Sequence, residues 1–119
     1  MLNAAIGHLV DDDAGILLPE KLAAMLHIPL AELARLTGIH RNTLAIRPDA
    51  PIVQTKIGMI ARILAAAAEL LHSEGKAVVW FRHQPLSGFD GRTAAELVTA
   101  GHAKAVIAHL EMLRDGVYA

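Results

Sequence analysis

Histidine titrates nearest neutrality and is the commonest metal ligand, and this chain of 119 residues carries seven: His8, His27, His40, His72, His83, His102 and His109. None stands in an H-E-x-x-H pattern or pairs with a carboxylate at metal-ligand spacing. His102 and His109 share a helical face but lie ~10 Å apart along its axis, too far for one ion without a third element. Helix-end or surface positions are therefore the expectation for all seven. The two serines, Ser73 and Ser87, fall in breaks between helices and not in a G-x-S-x-G elbow. Cysteine is absent, which removes thiolate and disulfide chemistry. Gly88-Phe89-Asp90-Gly91-Arg92-Thr93 precedes a helix as a phosphate loop does, but lacks the Walker spacing and its lysine. The residues thus point to no catalytic group, no metal and no cofactor, and to a chain that is not an enzyme.

A different chemistry is written between Leu30 and Arg47. His40, Arg41, Asn42, Thr43 and Arg47 cluster around the start and end of a short helix. Arg41 can donate to guanine or phosphate, Asn42 can pair with adenine, and Thr43 can reach a phosphate. In a helix-turn-helix, residues near the start of the second helix reach base edges. The charge distribution agrees. The overall net charge is −1, yet residues 14–62 carry +3, while Asp11, Asp12 and Asp13 make the first thirteen residues −3. Only the middle of the chain has the sign that nucleic acid requires, and the surplus is small, so affinity per protomer should be modest. A helical corner of the same shape without nucleic acid is the plainer alternative.

The elements that would hold these residues are helices. Ala and Leu dominate a composition that is 54% hydrophobic and 3% aromatic, which favours helix over strand. Residues 1–15 lack a periodic pattern and are expected to form an irregular, possibly disordered leader. Residues 16–62 hold the helix-turn-helix region, with a first helix from Pro19 to near His27. A second opens at Pro29 and ends at Gly38. A third covers about Arg41 to Ile46. Gly38 allows the sharp turn, Ile39 plugs the corner, and Leu44 and Ile46 are expected to anchor the third helix. After Asp49-Ala50-Pro51, a long helix runs from about Ile52 to His72 with Val53, Ile57, Ile60, Leu64, Ala68 and Leu71 on one face. Residues 63–119 complete the chain with helices over about Lys76–His83, Ala94–Ala100 and His102–Asp115. The loop Gln84–Gly91 separates the first two, and Thr93 and Glu96 have capping-box spacing. Val106, Ile107, Leu110 and Leu113 should face inward on the last helix, with Gly116 as its C-cap and Val117-Tyr118-Ala119 as a tail.

So much apolar surface on so short a chain calls for a second macromolecule, and the long helix is the expected dimer interface. No apolar run reaches the ~20 residues of a bilayer span, and the first ten residues lack a basic signal-peptide region. A cytoplasmic, membrane-free location is the expectation.

Several stretches together carry a family resemblance. Val79-Trp80-Phe81-Arg82-His83-Gln84-Pro85-Leu86, Gly91-Arg92-Thr93-Ala94-Ala95-Glu96-Leu97, Gly101-His102 and Leu113-Arg114-Asp115-Gly116-Val117-Tyr118 resemble the toxin-binding domain of the MbcA/ParS/Xre antitoxins. A helix-turn-helix ahead of that domain also follows the family's order. Ala94 departs from the Pro that often follows the Thr in the family, and Ala also suits a helix start. The resemblance implies an all-α fold: an Xre-like N-terminal helix-turn-helix, a long central helix and a small helical toxin-binding domain. It also implies a dimeric antitoxin of a type II toxin–antitoxin module. The partner would be a RES-domain toxin that consumes NAD or transfers ADP-ribose, with operator DNA as a second partner. Under this resemblance Trp80, Arg82, Arg92 and Arg114 would meet the toxin. Val117, Tyr118 and Ala119 would enter its NAD pocket, Tyr118 stacking there and the Ala119 carboxylate standing in for a phosphate. Read without it, Trp80 fills core and the arginines are solvated surface. The rival function is a stand-alone helix-turn-helix regulator with no toxin partner.

Overall fold

The computed structural model describes residues 7–11 and 15–118, with the side chains of Asp11, Val117 and Tyr118 excepted. Among these residues seven α-helices dominate: α1 (Pro19–Leu26), α2 (Leu30–Thr37), α3 (Arg41–Ile46), α4 (Pro51–Leu71), α5 (Glu74–His83), α6 (Ala94–Thr99) and α7 (Ala103–Tyr118). The all-α expectation holds. The one addition is a two-residue antiparallel pair, β1 (Val10–Asp11) with β2 (Ile16–Leu17).

Each helix stops for a local reason. Pro19 and Pro51 occupy the first turns of α1 and α4, where a missing N–H and a fixed φ cost nothing. His27 and His72 take left-handed conformations at φ 58° and 56° and end those same helices, while Gly38 ends α2 at φ 71°. The Ser73 hydroxyl accepts the Lys76 N–H at 3.1 Å, so α5 begins at Glu74 and not at Lys76. Thr93 and Glu96 form the expected capping box, with N–H···O distances of 3.0 and 3.1 Å.

The helix α4 is the spine. Eight of its residues are buried: Val53, Ile57, Ile60, Ala61, Ile63, Leu64, Ala67 and Ala68. They meet α5 and α7 chiefly, with α1 and β2 against its first half. By length and composition alone α4 is long and apolar enough to cross a membrane, contrary to the expectation that no run approaches that length. Its burial against the other helices is that of a core helix. A single buried cluster runs from Leu9 through Leu33, Ile57 and Phe81 to Leu110. Gln54 ties the N-terminal strands to α4. Its Oε1 accepts the Leu17 N–H at 3.0 Å, and its Nε2 donates to the carbonyls of Leu17 and Pro48 at 2.9 and 2.7 Å.

Four expectations need correction. Residues 7–11 are built into the fold: Gly7–Leu9 forms a 3₁₀ turn and Leu9 is 1% exposed. An element this short leaves no periodicity to read; residues 1–6 and 12–14 of the leader lie outside the described ones. Ile46 is 76% exposed and anchors nothing, because it sits two positions, roughly 200°, around the helix from buried Leu44. Gly116 does not cap α7, which continues to Tyr118; a lone Gly costs a helix only ~1 kcal/mol. Leu71 and Leu113, expected to face inward, are left 37% and 41% exposed near the ends of α4 and α7.

Candidate functional site

Three surfaces hold the residues singled out from the sequence. The first is the corner between α2 and α3. Gly38-Ile39-His40 joins the two helices, with Ile39 buried beneath the turn. Thr37 is the buried polar side chain of this corner; its hydroxyl donates to the Leu33 carbonyl at 2.9 Å and accepts the Ile39 N–H at 3.3 Å. The His40 Nδ1 accepts the Asn42 N–H at 3.1 Å and so caps α3. Arg41, Asn42 and Arg47 are exposed and Thr43 is half-buried. Among the described residues neither Arg41 nor Arg47 has an ion-pair partner. The corner therefore presents two free guanidiniums and an amide on one short helix, a set able to bind phosphate and base edges.

The second surface is a groove of about 570 Å³ between α1–α2 on one side and α5–α6 on the other. Leu26 and Phe81 lie fully buried beneath it, with Ile28 and Ala95 half-buried beside them. Arg82 and Arg92 line one wall and Glu32 and Arg35 the other. The connection from Gln84 to Arg92 shapes this wall. Leu86 is buried, its N–H reaches the Arg92 carbonyl at 2.9 Å, and Arg92 Nε donates to the Phe89 carbonyl at 3.3 Å. Gly88, Asp90 and Gly91 turn it through positive φ, and the His109 and Phe89 rings lie nearly perpendicular with centroids 5.6 Å apart.

The third surface is the far end of α7. Every described residue from Glu111 to Gly116 is exposed, including Met112 at 64% and Leu113 at 41%. Arg114 borders a small cleft with Ala66, Glu69, Leu70 and Leu110 at the end of α4, and its Nε lies 3.6 Å from exposed Asp115, a pairing of little strength in water. The seven residues expected to form one interface are thus divided. Arg82 and Arg92 share the groove, and Arg114 lies at the α7 end on a separate cleft. Trp80 is half-buried and packs against the edge of the core rather than filling it. The side chains of Val117 and Tyr118, and all of Ala119, lie outside the described residues.

Sequence reasoning missed Glu32, Arg35, His83 and Thr99, which also line the groove. No linear spacing links α2 to α6, so the only available signal was the amphipathic face of α2, with Arg35 on its outer side.

Residues 66–116 match the family model described as the antitoxin Xre/MbcA/ParS C-terminal toxin-binding domain. No curated protein and no solved structure matches the chain.

Proposed function

We propose, from the membership of residues 66–116 in the Xre/MbcA/ParS antitoxin toxin-binding domain family, that this chain is the antitoxin of a type II toxin–antitoxin module. The observation that carries the reading is the end of α7, where residues 111–116 are all exposed, Met112 and Leu113 among them. A helix end that leaves Met112 64% and Leu113 41% exposed, tied to the rest of the chain by little more than the Arg62–Glu111 pair at 3.7 Å, is suited to burial in a partner. The partner on this reading is a RES-domain toxin acting on NAD. The α7 end covers its NAD cleft, with Val117, Tyr118 and Ala119 continuing into it, and inhibition is by occlusion, without chemistry and without a cofactor. The α2–α3 corner represses the module's own operon. A homodimer would place two such corners on paired half-sites and multiply weak contacts. The complex forms in the cytoplasm.

The test is neutralisation of the toxin encoded beside this chain by a form lacking Val117 to Ala119. Since Glu111 to Gly116 already lie outside the core, the truncated protein should keep its helical circular dichroism and its melting temperature, and should protect cells poorly. Protection equal to that of the full chain would remove the occlusion by the tail. Failure of the full chain to bind that toxin would remove the antitoxin reading and leave the stand-alone regulator.

A further inference from the structure

The groove between α1–α2 and α5–α6 has a composition that asks for a particular occupant. Its floor is apolar, with Leu26 and Phe81 beneath and Ile28 and Ala95 at the sides. Its acids sit apart from two of its arginines: Glu96 Oε1 accepts the Thr93 N–H at 3.0 Å, and Glu32 Oε1 lies 3.5 Å from the exposed Arg35 guanidinium, a weak pair in water. Two of its guanidiniums are not neutralised. Arg82 and Arg92 are both half-buried, and among the described residues neither has a carboxylate within ion-pair distance. Of the five N–H donors that an arginine offers, Arg92 commits Nε to the Phe89 carbonyl, and Arg82 commits none among the described residues. A partly desolvated cation without a partner is unfavourable until an anion comes to it. The volume, about 570 Å³, lies in the ~300–1,000 Å³ range of sites that engulf a compact ligand.

We infer that this groove is a second toxin-docking site, separate from the α7 end, and that it receives a short segment of the toxin with an apolar anchor flanked by carboxylates. The anchor sits over Phe81 and Leu26, and the carboxylates pair with Arg82 and Arg92. The α5–α6 wall lies wholly inside the matched toxin-binding segment 66–116, which favours the toxin as the source of that segment. The opposite wall comes from α1 and α2, outside the match. An occupant therefore grips the helix pair that carries the DNA-facing corner together with the toxin-binding helices. The inference rests on the antitoxin reading and goes beyond it by naming a site and the chemistry that fills it.

The experiment measures the affinity of the full chain for the purified co-encoded toxin by titration calorimetry. Arg82→Glu reverses one free charge without touching the Arg92–Phe89 tie. Because the chain has no cysteine, Thr99→Cys on the groove wall can be labelled alone with a bulky fluorescein maleimide. Lys21→Cys, exposed on α1 and outside the groove, carries the same label as a control. With circular dichroism unchanged, Arg82→Glu and labelled Thr99→Cys should each bind about tenfold more weakly or worse, and labelled Lys21→Cys should bind as the unmodified chain does. If both groove variants bind undiminished, the groove is not a docking site, and the antitoxin reading stands without it. If the unmodified chain does not bind the toxin at all, both fall together.

Discussion

At the amino end of α3, His40 accepts the Asn42 N–H through Nδ1. That leaves Nε2 as the ring's donor and stabilises a helix of only six residues, too short to persist without caps and packing. The polar groups proposed to read DNA are therefore held by a side chain that is itself one of them. Three other histidines also have a structural position. His27 and His72 end helices in left-handed conformations, and the His109 ring lies nearly perpendicular to that of Phe89. At Arg41 and Asn42, exposed side chains with no partner among the described residues lead to a specific expectation. Arg41→Ala with Asn42→Ala should abolish an operator gel shift and leave toxin inhibition intact. An unchanged shift would move DNA binding to another surface.

Among the helices, α6 resembles α3 in depending on its ends. It has six residues, and its capping box joins it to the Gln84–Arg92 connection that shapes the groove wall. Thr93→Ala removes the acceptor for the Glu96 N–H and should lower stability by about 1 kcal/mol, read as a lower midpoint in urea with an unchanged slope. A midpoint equal to that of the unsubstituted chain would mean that packing of Ala94, Leu97 and Val98 alone holds α6. The helix α4 teaches the complementary lesson. Its small and apolar surface was expected to serve a dimer, and most of it is covered by α5 and α7 within the chain. Large apolar side chains left outside at its ends are Ile52 and Leu71, 53% and 37% exposed.

Across the molecule, the buried cluster is continuous from Leu9 to Leu110 and includes both the α2–α3 corner and the helices of the matched segment 66–116. A shared core of this kind predicts that the halves unfold together. Trp80 is the one tryptophan of the chain and lies in the C-terminal half, so its fluorescence reports that half while far-ultraviolet circular dichroism reports every helix. The two thermal transitions should coincide. A fluorescence midpoint clearly displaced from the dichroism midpoint would mean that the core divides near the middle of α4. The described residues of α7 beyond Leu110 are not part of this core, so truncation of the tail is expected to leave this joint transition in place.

Local physics made much of this protein legible in one dimension. Proline at helix starts, glycine at the end of α2, the Thr93–Glu96 box and the three- and four-residue apolar spacing place all seven helices, because each depends on residues within one or two turns. The family likeness of the C-terminal half was equally readable, as a pattern of neighbouring residues. The groove, the isolation of Arg114 from Arg82 and Arg92, the burial of Leu9 and the partial exposure of Leu113 were not. Each depends on which helix lies beside which, and so on contacts between residues distant along the chain that only packing around α4 brings about.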